Sequence, residues 1–245
     1  MAFLEKIDYY GVGTTYATAL VLKGSTENKT ASVYEAKNEK GDVVAREVYG
    51  ETSAPSCSFE VKDDLVLALK LGAIHDHEGR KFCFGSMGIR TQLGSPASVD
   101  VGGSQVEDSA TTETSTTIDF GYVKLSRFHD AQIPAFGSSA TGTFTPAFTL
   151  GDGAGTDFFL NDTQIDLAAD ISQAKAGGVC MNHDIQNGRC TVQGTIVQIG
   201  SKEPTLVMAE GWEVTSPLTR DGQDESQPTW KFTATKSFDS VHPAA

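Results

Sequence analysis

Alternating apolar and polar residues run through most of this chain and predict β-strands. The pattern is clear in residues 56–61, 65–71 and 229–235, where every second side chain is apolar. This period of two is typical of strands that bury one face. The apolar side of these strands gives a predicted core of Cys57, Phe59, Val61, Leu65, Leu67, Leu69, Trp230 and Phe232.

A β-hairpin is predicted between residues 31 and 49. Two β-prone runs, 31–37 and 43–49, flank the polar turn Asn38-Glu-Lys-Gly-Asp42. Gly41 can adopt the positive φ that such turns require, so the turn is expected at Asn38–Asp42.

One segment favours a helix. Asp162 or Thr163 can cap it, Asp166 lies in its first turn, and Gly177-Gly178 can end it. Its apolar stripe is formed by Ile165, Ala168, Ala169 and Ile171. The predicted fold class is therefore mainly β: an antiparallel β-sandwich or barrel with one flanking α-helix at about 163–176.

The length suits a single domain over residues 1–245, with room for an insertion or extended loops at about 76–160. Within that range, residues 91–117 are rich in Ser, Thr and Gly. They are interpreted as a long loop or as a hairpin with a mobile tip.

Charge and hydropathy narrow the functional classes. The net charge is −13, which opposes a basic groove for nucleic acid. The longest apolar run, Leu65–Leu69, is too short to span a bilayer, and residues 1–8 lack the apolar core of a secretory signal. A cytosolic product is expected, the alternative being a mature chain whose signal has been removed.

The four cysteines form no CxxC pair. Cys57 and Cys83 lie in apolar strand patterns and are expected to be small core residues. Cys180 and Cys190 bracket a polar segment, where a disulfide is not expected in a reducing compartment.

Two segments contain side chains that are candidate metal ligands. His75-Asp-His77 with Glu78 could supply metal ligands, but a solvated turn explains the same residues, so His75 and His77 are expected to be exposed. The stretch 151–157, with Asn161 and Asp162, offers oxygen donors for calcium, yet its spacing fits no known calcium loop.

No nucleophile or phosphate-loop motif is present in the sequence. The sequence therefore predicts no enzyme: no catalytic residues, no cofactor-binding residues and no metal-binding residues.

The segment Glu35–Tyr49 resembles a hairpin found in the major tail (tail-tube) proteins of tailed bacteriophages. The C-terminal segments 211–216 and 230–235, separated by a polar loop, are similar to the closing strands of that family. Together the resemblance covers about a third of the chain, at its two ends.

This resemblance implies a structural virion protein, made in the host cytoplasm and located in the tail. Its subunits would assemble into stacked, hexameric rings that form a conduit for DNA. The implied partners are copies of the same chain and other tail proteins, with DNA passing through without specific binding and with no membrane. An acidic lumen would repel phosphates, and residues 91–117 would project as an arm between subunits or rings.

The sequence is also compatible with two other functions. A capsid decoration or head-surface protein would share the acidity and the β content. A carbohydrate- or calcium-binding β-sandwich module would instead use Trp212, Trp230 and the acidic loop 151–162.

Overall fold

The computed structural model describes residues 19–77, 80–106, 117–127, 129–176, 179–221 and 227–238 of the 245. Every regular element among them is a β-strand, and none of these residues forms a helix that could cross a membrane. The strands are β1 Leu20–Lys37, β2 Val43–Val61, β3 Leu65–Leu71, β4 Ile74–His77, β5 Arg80–Gln92, β6 Ser95–Val106, β7 Ile118–Leu125, β8 Ala135–Gly137, β9 Thr145–Pro146, β10 Phe148–Leu150, β11 Phe158–Ala176, β12 Val179–Gln198, β13 Leu206–Met208, β14 Glu213–Asp221 and β15 Thr229–Phe238.

These strands form three sheets. The large sheet has nine strands in the order β1-β2-β6-β5-β11-β12-β15-β14, with β4 added alongside β5. A four-stranded sheet has the order β3-β7-β8-β9, and β10 pairs with β13. The paired strands run antiparallel, so the predicted all-antiparallel, mainly β character is confirmed.

Side chains from all three sheets meet in one hydrophobic core. The large sheet contributes every second residue of its central strands, including Phe59, Ile89 and Val192, while β3 and β7 contribute Leu67 and Val123. Seven of the eight predicted core residues are buried: Cys57, Phe59, Val61, Leu65, Leu67, Leu69 and Phe232. The eighth, Trp230, is half-buried against the core, because its indole Nε1 reaches out to the Gln198 side chain at 3.1 Å.

The predicted hairpin is confirmed, with its turn at the expected residues. Asn38 and Asp42 close the turn through a backbone hydrogen bond of 2.9 Å from Asn38 N to Asp42 O. The Asn38 side-chain oxygen accepts hydrogen bonds from the backbone N–H groups of Lys40 and Asp42, and Gly41 has a φ of +87°. The hairpin is longer than predicted, since β1 and β2 pair from Leu20 and Val61 to the turn.

The flanking helix predicted at about 163–176 is wrong, because these residues belong to β11. The helical stripe left out Leu167, which is 2% exposed. With Leu167 included, the apolar positions recur at every second residue together with Ile165 and Ile171, which is a strand pattern. The tertiary environment decides the outcome: β11 pairs with β5 on one side and with β12 on the other.

Of the two interpretations of residues 91–117, the long loop is wrong where the structure describes it, and the hairpin is the closer one. The projecting arm that the resemblance implied for 91–117 is also wrong there, because residues 95–106 lie inside the large sheet between β2 and β5. Residues 95–106 form β6, which pairs with β5 across a tight connection at Leu93-Gly94. The small inward side chains Ala97 and Val99 are fully buried there, so a strand poor in large apolar residues still packs on the core. Residues 107–116 lie outside the described part of the chain.

Candidate functional site

The end of the first hairpin projects as an arm, defined here as residues 31–48. Along this arm β1 and β2 pair with each other, while β2 pairs with β6 only over Ser56–Glu60. Seven residues of β1, 31–37, at about 3.3 Å each give the arm a length of roughly 23 Å. It therefore extends from the sheet as a two-stranded ribbon.

Aliphatic side chains lie exposed on the arm. Val33 and Val48 are direct cross-strand partners and are 44% and 55% exposed. Tyr34 is 58% exposed and Val44 is 63% exposed. Val33 and Tyr34 are consecutive in β1, so their side chains point to opposite faces of the ribbon. The arm therefore exposes apolar side chains on both faces, which another molecule could cover.

The large sheet ends in two strands that pair on one side only in the described part of the chain. At one end lies β1, and at the other lies β14. The β14 edge is broken by register shifts around Ser216 and carries Pro217, features that discourage further strand pairing. The β1 edge also has register shifts, at Leu22/Gly24, Thr30/Ser32 and Ala36/Lys37, but it has no proline. It is therefore the more suitable of the two for adding a strand.

The large sheet buries one face against the core, and its opposite face is polar. Glu60, Ser98, Arg90, Gln164, Gln193 and Thr233 form one row of successive cross-strand neighbours over six strands. In the next row Asp166 accepts hydrogen bonds from the side-chain amides of Gln164, at 2.8 and 2.9 Å, and of Gln193, at 3.2 Å. The charges on this face are mixed, and Glu60 pairs with Lys23 at 2.6 Å.

A cavity of about 520 Å³ opens between the four-stranded sheet and the end of β15. Its wall includes Phe136 of β8, Trp212 from the segment before β14, and Phe238 of β15. The Phe136 and Trp212 rings lie 5.4 Å apart with an interplanar angle of 45°. These two tilted rings form an angled apolar part of the cavity wall, and both side chains are half-buried.

Three charged side chains line the same cavity: Asp119, Glu210 and Lys236. None of them forms an ion pair with another described residue. The Lys236 ammonium instead lies 5.5 Å from the centre of the Phe238 ring, within cation–π range. One Asp119 oxygen accepts the Gly121 N–H at 2.8 Å, which fixes the carboxylate at the rim.

The residues weighed as a two-histidine metal site do not lie in the predicted turn. His75 and His77 belong to β4, which pairs with β5 through His75 opposite Phe82 and His77 opposite Arg80. The exposure predicted for the two imidazoles, and the position of Glu78, lie outside what the structure describes. Among the described residues, no group of three or more His, Cys, Asp or Glu side chains could hold a metal ion.

The acidic loop 151–157 uses its carboxylates internally. Asp157 Oδ1 accepts the backbone N–H groups of Ser201 at 2.9 Å and Lys202 at 3.2 Å. Asp152 pairs with the Lys202 ammonium at 2.6 Å, and this contact lowers the pKa of Asp152 and raises that of Lys202. The carboxylates of Asp152 and Asp157 thus hold the loop to residues 201–202, while the Asn161 amide donates to the neighbouring Asp162 carboxylate at 3.0 Å.

Among the cysteine side chains that the structure describes, Cys57, Cys83 and Cys190 are buried and form no disulfide. The expectation that Cys57 and Cys83 are core residues is confirmed. Burial raises the pKa of the Cys190 thiol to about 12, so this group stays a thiol at neutral pH. The side chain of Cys180 lies outside what the structure describes.

No protein-family model matches this sequence, and no curated protein matches it either. The arm, the sheet edges and the cavity are therefore the features that bear on function. Sequence patterns found the arm through its turn, but they missed Asp119, Phe136, Glu210 and Lys236, because those residues are brought together from four distant segments.

Proposed function

We propose that this chain is a structural virion protein, the tail-tube subunit of a tailed bacteriophage. In this proposal the subunits close into rings, which the family resemblance implies are hexameric, and the rings stack into a tube through which DNA passes. The arm carries the proposal most directly, because it presents an ordered apolar surface away from the subunit's own core.

The physical support from the arm is its need for a partner. An isolated two-stranded hairpin is at best marginally stable in water. Its Val33–Val48 pair and Tyr34 remain exposed in the single subunit. Complete burial of an exposed side chain of this kind contributes about 1.5–3 kcal/mol, and Val33 and Val48 still expose 44% and 55% of their surface. A neighbouring subunit that covers the pair therefore gains roughly half of that amount for each and stabilises both the arm and the assembly.

The sheet edges support the same proposal. Contacts that join two different surfaces of one chain generate rings when they close and stacks when they do not. The β1 edge is a long strand suited to accept a neighbour, and the arm extends from that edge. One hairpin therefore offers both a strand edge for ring closure and a projecting surface for stacking.

The polar face of the large sheet suits a wall along which DNA slides. Carboxylates such as that of Asp166 repel phosphates, and the cations Lys23 and Lys231 are paired with carboxylates. Arg90 is the exception on this face, since it forms no ion pair with another described residue. A wall of unpaired Lys and Arg would instead retain DNA through counterion release. The proposal takes this sheet and the four-stranded sheet as the two layers of a sandwich, with other tail proteins capping the tube.

A capsid decoration protein is the nearest alternative within the virion. It would be a monomer or a trimer on a shell, and it would not form a stack. The oligomeric species formed in solution therefore separates the two functions.

The experiment measures the assembly of the purified chain by light scattering coupled to size exclusion. The wild type is expected to form rings and larger stacks as concentration rises. The double variant V33S/V48S removes the exposed aliphatic pair and is expected to shift the population to free subunits. V207S is the matched control, because Val207 is 67% exposed but lies on β13, away from the arm.

Two results would count against the proposal. One is a wild-type chain that stays monomeric or trimeric at every concentration. The other is a V33S/V48S variant that assembles like V207S, which would show that the arm takes no part.

A further inference from the structure

The cavity between the four-stranded sheet and the end of β15 has the composition of a small-molecule site. Its volume of about 520 Å³ falls within the range of roughly 300–1,000 Å³ that ligand pockets occupy. It is lined by aromatic side chains and by three charged groups. In ligand pockets the apolar lining usually supplies affinity, and a few polar groups fix the orientation of the ligand. The tail-tube proposal gives this cavity no role.

We propose that this cavity binds an uncharged saccharide. A pyranose ring has an apolar face of C–H groups and an edge of hydroxyl groups. The first matches the angled surface formed by Phe136 and Trp212, and the second matches the charged rim.

The charges in the cavity argue against other ligand classes. An anion would meet two carboxylates, Asp119 and Glu210, against a single ammonium. An organic cation would be attracted by the two carboxylates but would meet the Lys236 ammonium, which already lies over the Phe238 ring, so tetramethylammonium serves as the competing probe. A purely apolar ligand would strip water from three charged groups and give them no hydrogen bond in return.

An uncharged polyol avoids each of these costs. Its hydroxyl groups can donate to the Asp119 and Glu210 carboxylates and accept from the Lys236 ammonium, and hydrogen bonds with a charged partner are the stronger kind. The Trp212 indole N–H makes no hydrogen bond to a described residue, whereas that of Trp230 donates to Gln198. Trp212 thus retains a donor for a ligand, and it lines the cavity.

The chain's two tryptophans make this proposal measurable by fluorescence. The variant W230F leaves Trp212 as the single indole reporter, at the wall of the cavity. The probes are the methyl glycosides of glucose, galactose, mannose and N-acetylglucosamine, with maltose and lactose as disaccharides. Each is titrated to about 10 mM, which reaches millimolar dissociation constants.

At least one of these sugars is expected to change the Trp212 emission of W230F with saturation. Calorimetry on the wild type should give the same dissociation constant. In the wild-type background, W212A is expected to weaken binding at least tenfold, and D119N and E210Q several-fold. E203Q, which changes an exposed carboxylate that does not line the cavity, is the matched control and should bind like the wild type.

Absence of a saturable response to every probe, by fluorescence and by calorimetry, would overturn the proposal. So would binding that W212A leaves unchanged, because the sugar would then lie elsewhere. A response to tetramethylammonium or acetate in place of the sugars would replace the ligand class. Circular dichroism of each variant confirms folding, and assembly measured in parallel keeps this result separate from the tail-tube proposal.

Discussion

Truncating Leu67 to Ala tests both the core and the strand register. Leu67 is 1% exposed at the middle of β3, directly opposite the fully buried Val123 of β7. Removing the three carbons beyond its Cβ forfeits about 0.8 kcal/mol each in transfer free energy, or roughly 2.4 kcal/mol. The cavity left in a packed core adds to this, so the expected loss of unfolding free energy is about 2–5 kcal/mol.

The assay is urea unfolding of the free subunit, followed by fluorescence. With a slope of about 3 kcal/mol/M, a loss of roughly 3 kcal/mol lowers the midpoint by about 1 M while the slope stays unchanged. The matched control is V66A, since Val66 is half-buried on the opposite side of the same strand. Its expected cost is about 1 kcal/mol or less.

The comparison of the two variants decides the register. A slip of one residue moves every side chain of a strand to the other face. If V66A cost more than L67A, the burial assigned to β3 would be inverted. If L67A cost less than about 0.5 kcal/mol, Leu67 would not be part of a packed core.

Three further outcomes are expected. The T163V variant should lose about 1–3 kcal/mol of unfolding free energy in urea. The buried Thr163 hydroxyl donates to Gln132 O at 2.8 Å and lies 2.8 Å from the Thr91 hydroxyl, and the variant removes both hydrogen bonds. An unchanged stability would contradict this buried network. Cys190 should resist iodoacetamide at pH 8 in the folded chain, because burial raises the pKa of its thiol to about 12. It should react once urea unfolds the chain, as measured by peptide mass spectrometry. Fast labelling of the folded chain would show that the thiol is accessible. Lys202 holds the pKa of Asp152 below the ordinary 3.8. The wild type should therefore be more stable than D152N at neutral pH, and this difference should vanish as the pH falls through the pKa of Asp152. A difference that persists at pH 2 would not come from this pair.

Local turn chemistry and strict alternation were readable from the sequence because they depend on neighbouring residues. Asn38 and Gly41 specify their turn wherever the hairpin lies, and Leu67 alternates with its neighbours in β3. The segment 163–176 was misassigned because its alanines and aspartates fit a helix, and two flanking strands outside the segment decide its state.

The strand β6 and the cavity could not be predicted for a related reason. Small residues such as Ala97 carry a weak hydrophobic signal, and their burial depends on the strands that pair with β6. The cavity joins residues from β7, β8, β15 and the segment before β14. Their proximity follows from sheet topology, which no local pattern contains.

Negative-stain electron microscopy of the purified wild-type chain tests the central claim of self-assembly most directly. Rings with a central hole, alone or stacked into tubes, are the predicted result, and V33S/V48S should show few of them. If the wild type shows only dispersed single subunits and cannot be distinguished from V33S/V48S at the same concentration, the claim is contradicted.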